Sequence, residues 1–368
     1  MRAKRKDKDM NNLQFHSDTL IETKRYSKDF WLPDYPYDAS GNFDREAALQ
    51  TVLYEEYGFV NTEGVNVTAE IVKTEEKQFA GKCTHTAVKF TVIKGSDQSS
   101  FPVHIYQPTK VSDPQMIIQI NFHPELPNKY LPIEELMDRG VAVAHVNYKD
   151  VTTDDNDFNN GIARLLTDRN NPHAAGKIAL WSYAASEIAT WLLANGYARA
   201  GALYVAGHSR LGKTALLTAA RDTRFTGVLV NCSGSCGAAI AREKTGETVE
   251  KICHVFPYWF ATYFHQYANR EFEMPFDQHY LTALIAPRKL CIVTAEEDLW
   301  ADTDAQYVAA EAADVIYRKM GVDGLVRRNG MLKQGEKTME GQIAFTKRGG
   351  THFFSRDDWN FFIDFIKR

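Results

Sequence analysis

Polar and apolar residues alternate over three early stretches, VNVTAEIV (65–72), HTAVKFTVIKG (85–95) and FPVHIYQP (101–108). That period of two, with β-branched residues and turn residues between the runs, predicts an antiparallel meander. Ahead of it, DREAALQTVLYEEY (44–57) has the apolar spacing of a helix. The pattern then changes. MIIQINF (116–122) and VAVAHVNY (141–148) are nearly continuous apolar runs, as strands buried on both faces require. KIALWSYAASEIATWLLANG (177–196) predicts a long helix with Trp181, Ala184, Ile188 and Leu192 on one stripe and Gly196 as its stop. Strand ALYVAG (202–207), helix KTALLTAARD (213–222) and strand GVLVNCSG (227–234) follow. Strand KLCIVTA (289–295) leads into helix DAQYVAAEAADVIYRKMG (304–321), and a strand near IAFTK (343–347) into helix DDWNFFIDFIKR (357–368).

Strands alternating with helices of this length predict a parallel sheet covered on both faces. With the antiparallel β entry, the layout is that of an α/β-hydrolase: a three-layer α/β sandwich around a mostly parallel central sheet. The span 235–288 is long for a connection and rich in aromatics (Phe256, Tyr258, Trp259, Phe260, Tyr263, Phe264), which predicts a helical excursion over one edge of a cleft. No linker, repeat or low-complexity tract interrupts the chain after residue 29. Residues 1–28 are therefore expected to form a poorly ordered tail, and 29–368 one domain, which 368 residues permit.

Composition narrows the function classes. The chain is 44% hydrophobic and 24% charged, ordinary globular values that exclude a largely disordered protein. A net charge of −4 offers no general attraction to phosphate backbones or acidic membranes, so a nucleic-acid partner is not expected. No apolar run approaches the roughly 18 residues of a membrane span. The basic start MRAKRKDKD is followed by no apolar stretch and is not a complete signal peptide. Either the protein stays inside the cell or this sequence begins after a removed leader. Five scattered cysteines (Cys83, Cys232, Cys236, Cys253, Cys291) with no Cys-x-x-Cys pair argue against a disulfide scaffold and against a zinc site of that kind. Cys232 and Cys236 could face each other on a turn.

Two chemistries compete for ALYVAGHSRLGKTALLTAARD (202–222). Gly207 to Thr214 satisfies G-x-x-x-x-G-K-[ST], in which backbone amides would cradle phosphates, Lys213 would reach the terminal phosphates and Thr214 would ligate magnesium. The same stretch reads as a strand–serine–helix nucleophile elbow at Ser209. A nucleotide loop normally follows an early strand, and this one follows about six. An elbow needs an acid after a later strand and a histidine after the last one. The chain supplies Glu296-Glu297-Asp298 after KLCIVTA, and His352 after the last strand. Order favours the esterase-type elbow.

The generic elbow is G-x-S-x-G, whereas here the fifth position is Leu211 and the glycine stands at 212. Gly207-His-Ser-Arg-Leu-Gly-Lys213 resembles the elbow of the glucuronoyl esterases, carbohydrate esterase family 15, whose pattern is G-[CH]-S-R-x-G-K. The resemblance extends to NCSGSCGAAIAREKTGETV (231–249), MPFDQHYLTALIAPRKL (274–290) and EEDLWAD (296–302). It implies a serine ester hydrolase without metal or cofactor, secreted or periplasmic and a monomer. The implied substrate is the ester between glucuronic acid of glucuronoxylan and a lignin-type alcohol. The runner-up is an acetyl or acyl esterase on polysaccharide or small esters, and a nucleotide-binding protein is the alternative of another class.

In this reading Ser209 is the nucleophile and His352 the general base. The Arg210 backbone N–H serves the oxyanion, and the resemblance implies a contribution from its side chain as well. A second oxyanion donor is expected around Phe122 and His123. The family carries its acid in one of two places. The first corresponds here to Cys232, which leaves Asp298, because resembling sequences share Asp-x-Trp-x-Asp. Glu296, Glu297 and Asp302 then read as solvated or capping carboxylates, and His208 and His279 as structural. By resemblance Lys213, Glu247 and Trp300 contact sugar hydroxyls.

Overall fold

The computed structural model describes Tyr26, residues 30–326 and residues 331–368. Of the expected tail, residues 1–25 and 27–28 lie outside the described residues, as does residue 29; Tyr26 is buried, its ring against Phe30 at 4.6 Å between centroids.

The alternating stretches become β1 (Val65–Lys77), β2 (Cys83–Lys94) and β3 (Asp97–Pro108), an antiparallel meander. Each is longer than the alternation alone marks. Gly95, at φ +61°, sits in the two-residue connection that pairs Lys94 with Asp97, where a left-handed residue matches strand twist. Ahead of the meander, α1 (Arg45–Val52) is capped by the Asp44 carboxylate, and Leu53–Tyr57 continues it as a wider turn.

The apolar runs become β4 (Gln115–Asn121) and β5 (Val141–Asn147), separated by α2 (Ile133–Asp138). Then come α3 (Lys177–Ala194), β6 (Leu203–His208), α4 (Arg210–Arg221), β7 (Gly227–Asn231), α5 (Val249–Val255), β8 (Lys289–Ala295) and α6 (Thr303–Lys319). The chain closes with β9 (Lys337–Thr338), β10 (Ile343–Arg348) and α7 (Arg356–Ile366). Among the described residues all ten strands form one sheet in the order β1-β2-β3-β5-β4-β6-β7-β8-β10-β9, parallel from β5 to β10. This is the mostly parallel α/β-hydrolase arrangement.

Adjacent positions of a doubly covered strand serve opposite layers. Ile118 and Val205 pack with α3, α4 and α6, whereas Ile117 and Tyr204 pack with α2 and α7. The order reverses at β4, flanked by β5 on one side and β6 on the other, which opens a crevice at the carboxyl ends of the strands. The loops after β4, β6, β8 and β10 emerge there.

Three expectations need correction. Helix α4 begins at Arg210 and not at 213, because the chain turns at Ser209 itself. Strand β7 stops at Asn231, since Cys232 and Gly234 take φ +46° and +62° and turn the chain. The excursion 235–288 contains only short helical pieces and is otherwise irregular. It is held by a buried Arg242–Asp277 ion pair (2.9 Å) and by Trp259, whose carbonyl lies where a Cβ on Gly176 would stand (2.2 Å). With the 148–166 segment, to which Lys177 and Trp181 bond at Thr152, and with α4, that contact buries the first half of α3 all round and not on one stripe alone.

Candidate active site

Ser209 joins β6 to α4 at φ +58°, ψ −127°, a conformation costly for a residue with a side chain. The glycines around it make the turn possible. A Cβ on Gly207 would stand 2.0 Å from the Leu211 carbonyl, and one on Gly212 would stand 3.1 Å from the Asn231 carbonyl of β7. The glycine at 212 thus meets the neighbouring strand, while the Leu211 side chain is buried in the core. The Ser209 N–H donates to Asn231 O (2.8 Å), tying the elbow to β7.

His352 lies on the loop after β10 and Asp298 on the loop after β8, and those strands are neighbours. Their side chains meet, His352 Nδ1 to Asp298 Oδ2 at 2.6 Å, with the imidazole more than a third exposed and the carboxylate buried. Burial by itself would raise the Asp298 carboxyl. The His352 hydrogen bond and charge, the Ala301 N–H and the Cys232 thiol outweigh it and hold the group below the ordinary carboxylate range. The His352 ring packs on His208, the residue before the serine, at 4.5 Å between centroids. His208 Nδ1 bonds the Asn231 side-chain oxygen, and burial, with the neighbouring His352 adding to it, depresses His208 to about 3, so this ring stays neutral.

The neighbouring acids are occupied elsewhere. Glu296 pairs with Lys347 (2.7 Å), Glu297 accepts from the Gly350 N–H (3.2 Å), and Asp302 caps α6 through Ala305 N (3.1 Å). His279, buried, bonds the Pro33 carbonyl far from this cleft.

Arg210 begins α4, so its N–H is among the unpaired amides of a helix start, where negative charge is favoured. Its guanidinium bonds Asp154 and lies over the Trp259 ring at 4.6 Å. Asp154 is in turn held by Tyr148 (2.9 Å) and the Trp259 indole N–H (2.8 Å). Among the described residues Arg210 Nε is buried without a partner. Of the residues expected to add a second oxyanion donor, Phe122 packs beside Arg210 (5.7 Å), whereas the His123 N–H is already taken by Asn121 Oδ1 (3.2 Å).

Lys213, one helical turn beyond Ser209, donates to Ser233 O (2.6 Å) and Glu247 Oε2 (3.0 Å), both side chains being buried. A lysine held against a carboxylate is poorly placed to receive phosphates, which argues against the nucleotide loop. Glu247 is positioned by Gly246, whose missing side chain lets the loop reach the Leu299 and Trp300 carbonyls, and by its N–H bond to Trp300 O (3.0 Å). The Trp300 indole is half exposed, with Lys251 Nζ 5.5 Å from its ring.

Sequence reasoning missed Asp154, Asn231, Arg348 and Asp358. Asn231 Nδ2 donates to Asp358 Oδ2 (3.0 Å), and Arg348 Nε to Asp358 Oδ1 (2.9 Å). Asn231 and Arg348 end β7 and β10, a weak signal, whereas Asp154 on a loop and Asp358 in the first turn of α7 gave none. All five cysteines are free and buried, so Cys232 and Cys236 are not joined. Among the described residues no helix is long and apolar enough to cross a membrane.

Residues 90–321 match the family model described as glucuronyl esterase, fungi. The chain is similar to a carbohydrate esterase, MZ0003, of an unknown prokaryotic organism: 38% identical over 237 residues, 63% of this chain and 54% of that protein. It is 28% identical over 192 residues to the 4-O-methyl-glucuronoyl methylesterase of Hypocrea jecorina, covering 50% of this chain and 42% of that one. The matched segment thus spans about half the length of these curated relatives. The glucuronoyl esterase from Solibacter usitatus has the same fold with a TM-score of 0.84 at 26% identity, covering 94% of this chain and 99% of that one.

Proposed function

This chain belongs to the glucuronyl esterase family, and on that premise we propose that it is a serine carboxylic-ester hydrolase cleaving glucuronoyl esters, those joining the glucuronic acid of xylan to a lignin-type alcohol. The observation that carries the reading is the buried Lys213–Glu247 pair, one helical turn from a serine held in a strained elbow. A glucuronoyl ester places its scissile carbonyl directly on the sugar ring, so ring hydroxyls come close to whatever surrounds the nucleophile. An acetyl ester presents only a methyl group, for which a charged pair has no use.

In this mechanism Ser209 Oγ attacks the carbonyl carbon as His352 Nε2 takes its proton. Asp298, on Nδ1, holds the tautomer and stabilises the imidazolium. The oxyanion develops at the start of α4, where the Arg210 N–H donates and the unpartnered Arg210 Nε offers a charged donor. Asp154 and Trp259 keep that guanidinium from swinging away. His352 then protonates the leaving alcohol, and a water deprotonated by the same ring releases the glucuronic acid and restores Ser209. Lys213, Glu247 and Trp300 orient the sugar.

Turnover of a methyl glucuronate ester measured beside p-nitrophenyl acetate tests this. A large preference in kcat/KM for the glucuronoyl ester is expected, together with a single fluorophosphonate label on Ser209 and loss of nearly all hydrolysis in Ser209→Ala. Equal or better turnover of the acetate would move the assignment to an acyl esterase.

A further inference from the structure

Cys232, Asp298 and His352 come from the ends of three adjacent strands, β7, β8 and β10. One thiol sulfur, one carboxylate oxygen and one imidazole nitrogen lie there within 4.8 Å of one another. We propose that these three side chains form a binding site for a thiophilic divalent cation, zinc above all, and that its occupation switches the esterase off.

Zinc takes thiolate, imidazole and carboxylate ligands at about 2.0–2.3 Å, so atoms around a tetrahedral ion stand roughly 3.3–3.8 Å apart. The imidazole and carboxylate atoms, 2.6 Å apart, therefore need to open by under an ångström, and the thiol sulfur, within 4.8 Å of both, to approach by up to about one, movements within reach of side-chain rotation. Three protein ligands leave the fourth position to water. The exposed imidazole edge gives the ion a way in from the cleft.

The proton balance explains the switch. Without metal the Cys232 thiol is neutral, its burial pushing ionisation well above the ordinary thiol range. Coordination as thiolate releases that proton to solvent, one per ion bound. His352 presents Nδ1 to Asp298. To ligate through Nδ1 it must carry its hydrogen on Nε2 instead, so the ring keeps its proton count and changes tautomer. Nε2 is the atom that must accept the serine proton, and an N–H there is no base. The ion sits behind the imidazole and outside the ester cleft, so kcat falls and KM stays. Magnesium and calcium, which take oxygen ligands, leave the enzyme active.

The loss of turnover rests on the reading of His352 as base; the coordination does not. Cobalt(II) added to the full chain in slight excess tests the coordination. A thiolate charge-transfer band in the near ultraviolet and intense visible bands of a four-coordinate ion are expected, displaced by zinc and absent in Cys232→Ser, which keeps the other four cysteines. If Cys232→Ser does not fold, His352→Gln must weaken cobalt binding at least tenfold. Zinc should lower kcat at least tenfold with KM unchanged, reversibly with EDTA, and Cys232→Ser should raise the inhibiting concentration at least tenfold. Cobalt binding without a thiolate band, or inhibition that raises KM, overturns the site. A thiolate band with full activity overturns the switch, and with it the role of His352. A chain inert on every ester sinks the esterase reading but leaves the cobalt result decisive for the site.

Discussion

Arg348 ties Asp358 to the loop that carries His352. Its Nε donates to Asp358 Oδ1 (2.9 Å), while its terminal nitrogens donate to the carbonyls of Gly349 (2.9 Å), Thr351 (3.2 Å) and Phe353. Asp358 also closes the capping box of α7 with Ser355 and accepts from Asn231, whose backbone carbonyl holds the Ser209 N–H. A continuous polar chain therefore links the elbow to the histidine loop. Such a chain restrains two side chains, Ser209 and His352, that lie 143 residues apart in sequence.

Arg348→Lys keeps the charge but loses the fork that grips several carbonyls. It is expected to lower kcat at least about tenfold, with KM within about twofold, on the scale of a lost charged hydrogen bond of roughly 1.5–3 kcal/mol. Steady-state kinetics on the methyl glucuronate ester check it. An unchanged kcat with only a lower melting temperature would reduce Arg348 to a structural role.

Asp298→Asn should leave the fold melting normally and cost orders of magnitude in turnover, up to about 10⁴, because the amide favours the wrong imidazole tautomer. Glu297→Gln keeps an oxygen for the Gly350 N–H and should stay within a few-fold of wild type. A dead Glu297→Gln beside an active Asp298→Asn would place the acid one residue away.

Lys213→Ala should cost roughly 1.5–3 kcal/mol in kcat/KM on the glucuronoyl ester and little on p-nitrophenyl acetate. The ratio of the two substrates is the measurement that matters. Removing one partner of a buried ion pair also destabilises the fold, by about 3–5 kcal/mol in comparable cases, and lost protein cancels in a ratio. Equal losses would mean that Lys213 supports the elbow and not the sugar.

Glu56 is buried beside Gln278, which donates to it at 2.8 Å, and burial raises its carboxyl from the ordinary 4.5 to about 8. Between those two values the folded chain holds a proton that the unfolded chain has lost. The contribution to stability is complete below the lower value and declines as pH rises toward the upper one, by up to about 1.4 kcal/mol per pH unit. Glu56→Gln cannot titrate. Its melting temperature relative to wild type should therefore climb between pH 5 and pH 8, and a constant difference across that range would show that Glu56 is ionised in the fold.

The sequence by itself determined what depends on neighbours along the chain. Period-two and continuous apolar runs set which strands have a solvated face. The Gly207–Ser209–Gly212 spacing set a strand-to-helix turn, since its close contacts lie within five residues or on the next strand. The tertiary structure decided what depends on which strand ends become neighbours. Among Glu296, Glu297 and Asp298, three adjacent acids, only the order β8–β10 determines which carboxylate faces His352 and which face Lys347 and Gly350. Asp154, Asn231, Arg348 and Asp358 look like ordinary surface polar residues in one dimension. They matter because strands distant in sequence lie side by side, and because a charge removed from water must find its partner there. The irregular 235–288 span was illegible for the same reason: it is held by the Arg242–Asp277 pair and by backbone contacts with α3, and neither has a periodicity to read.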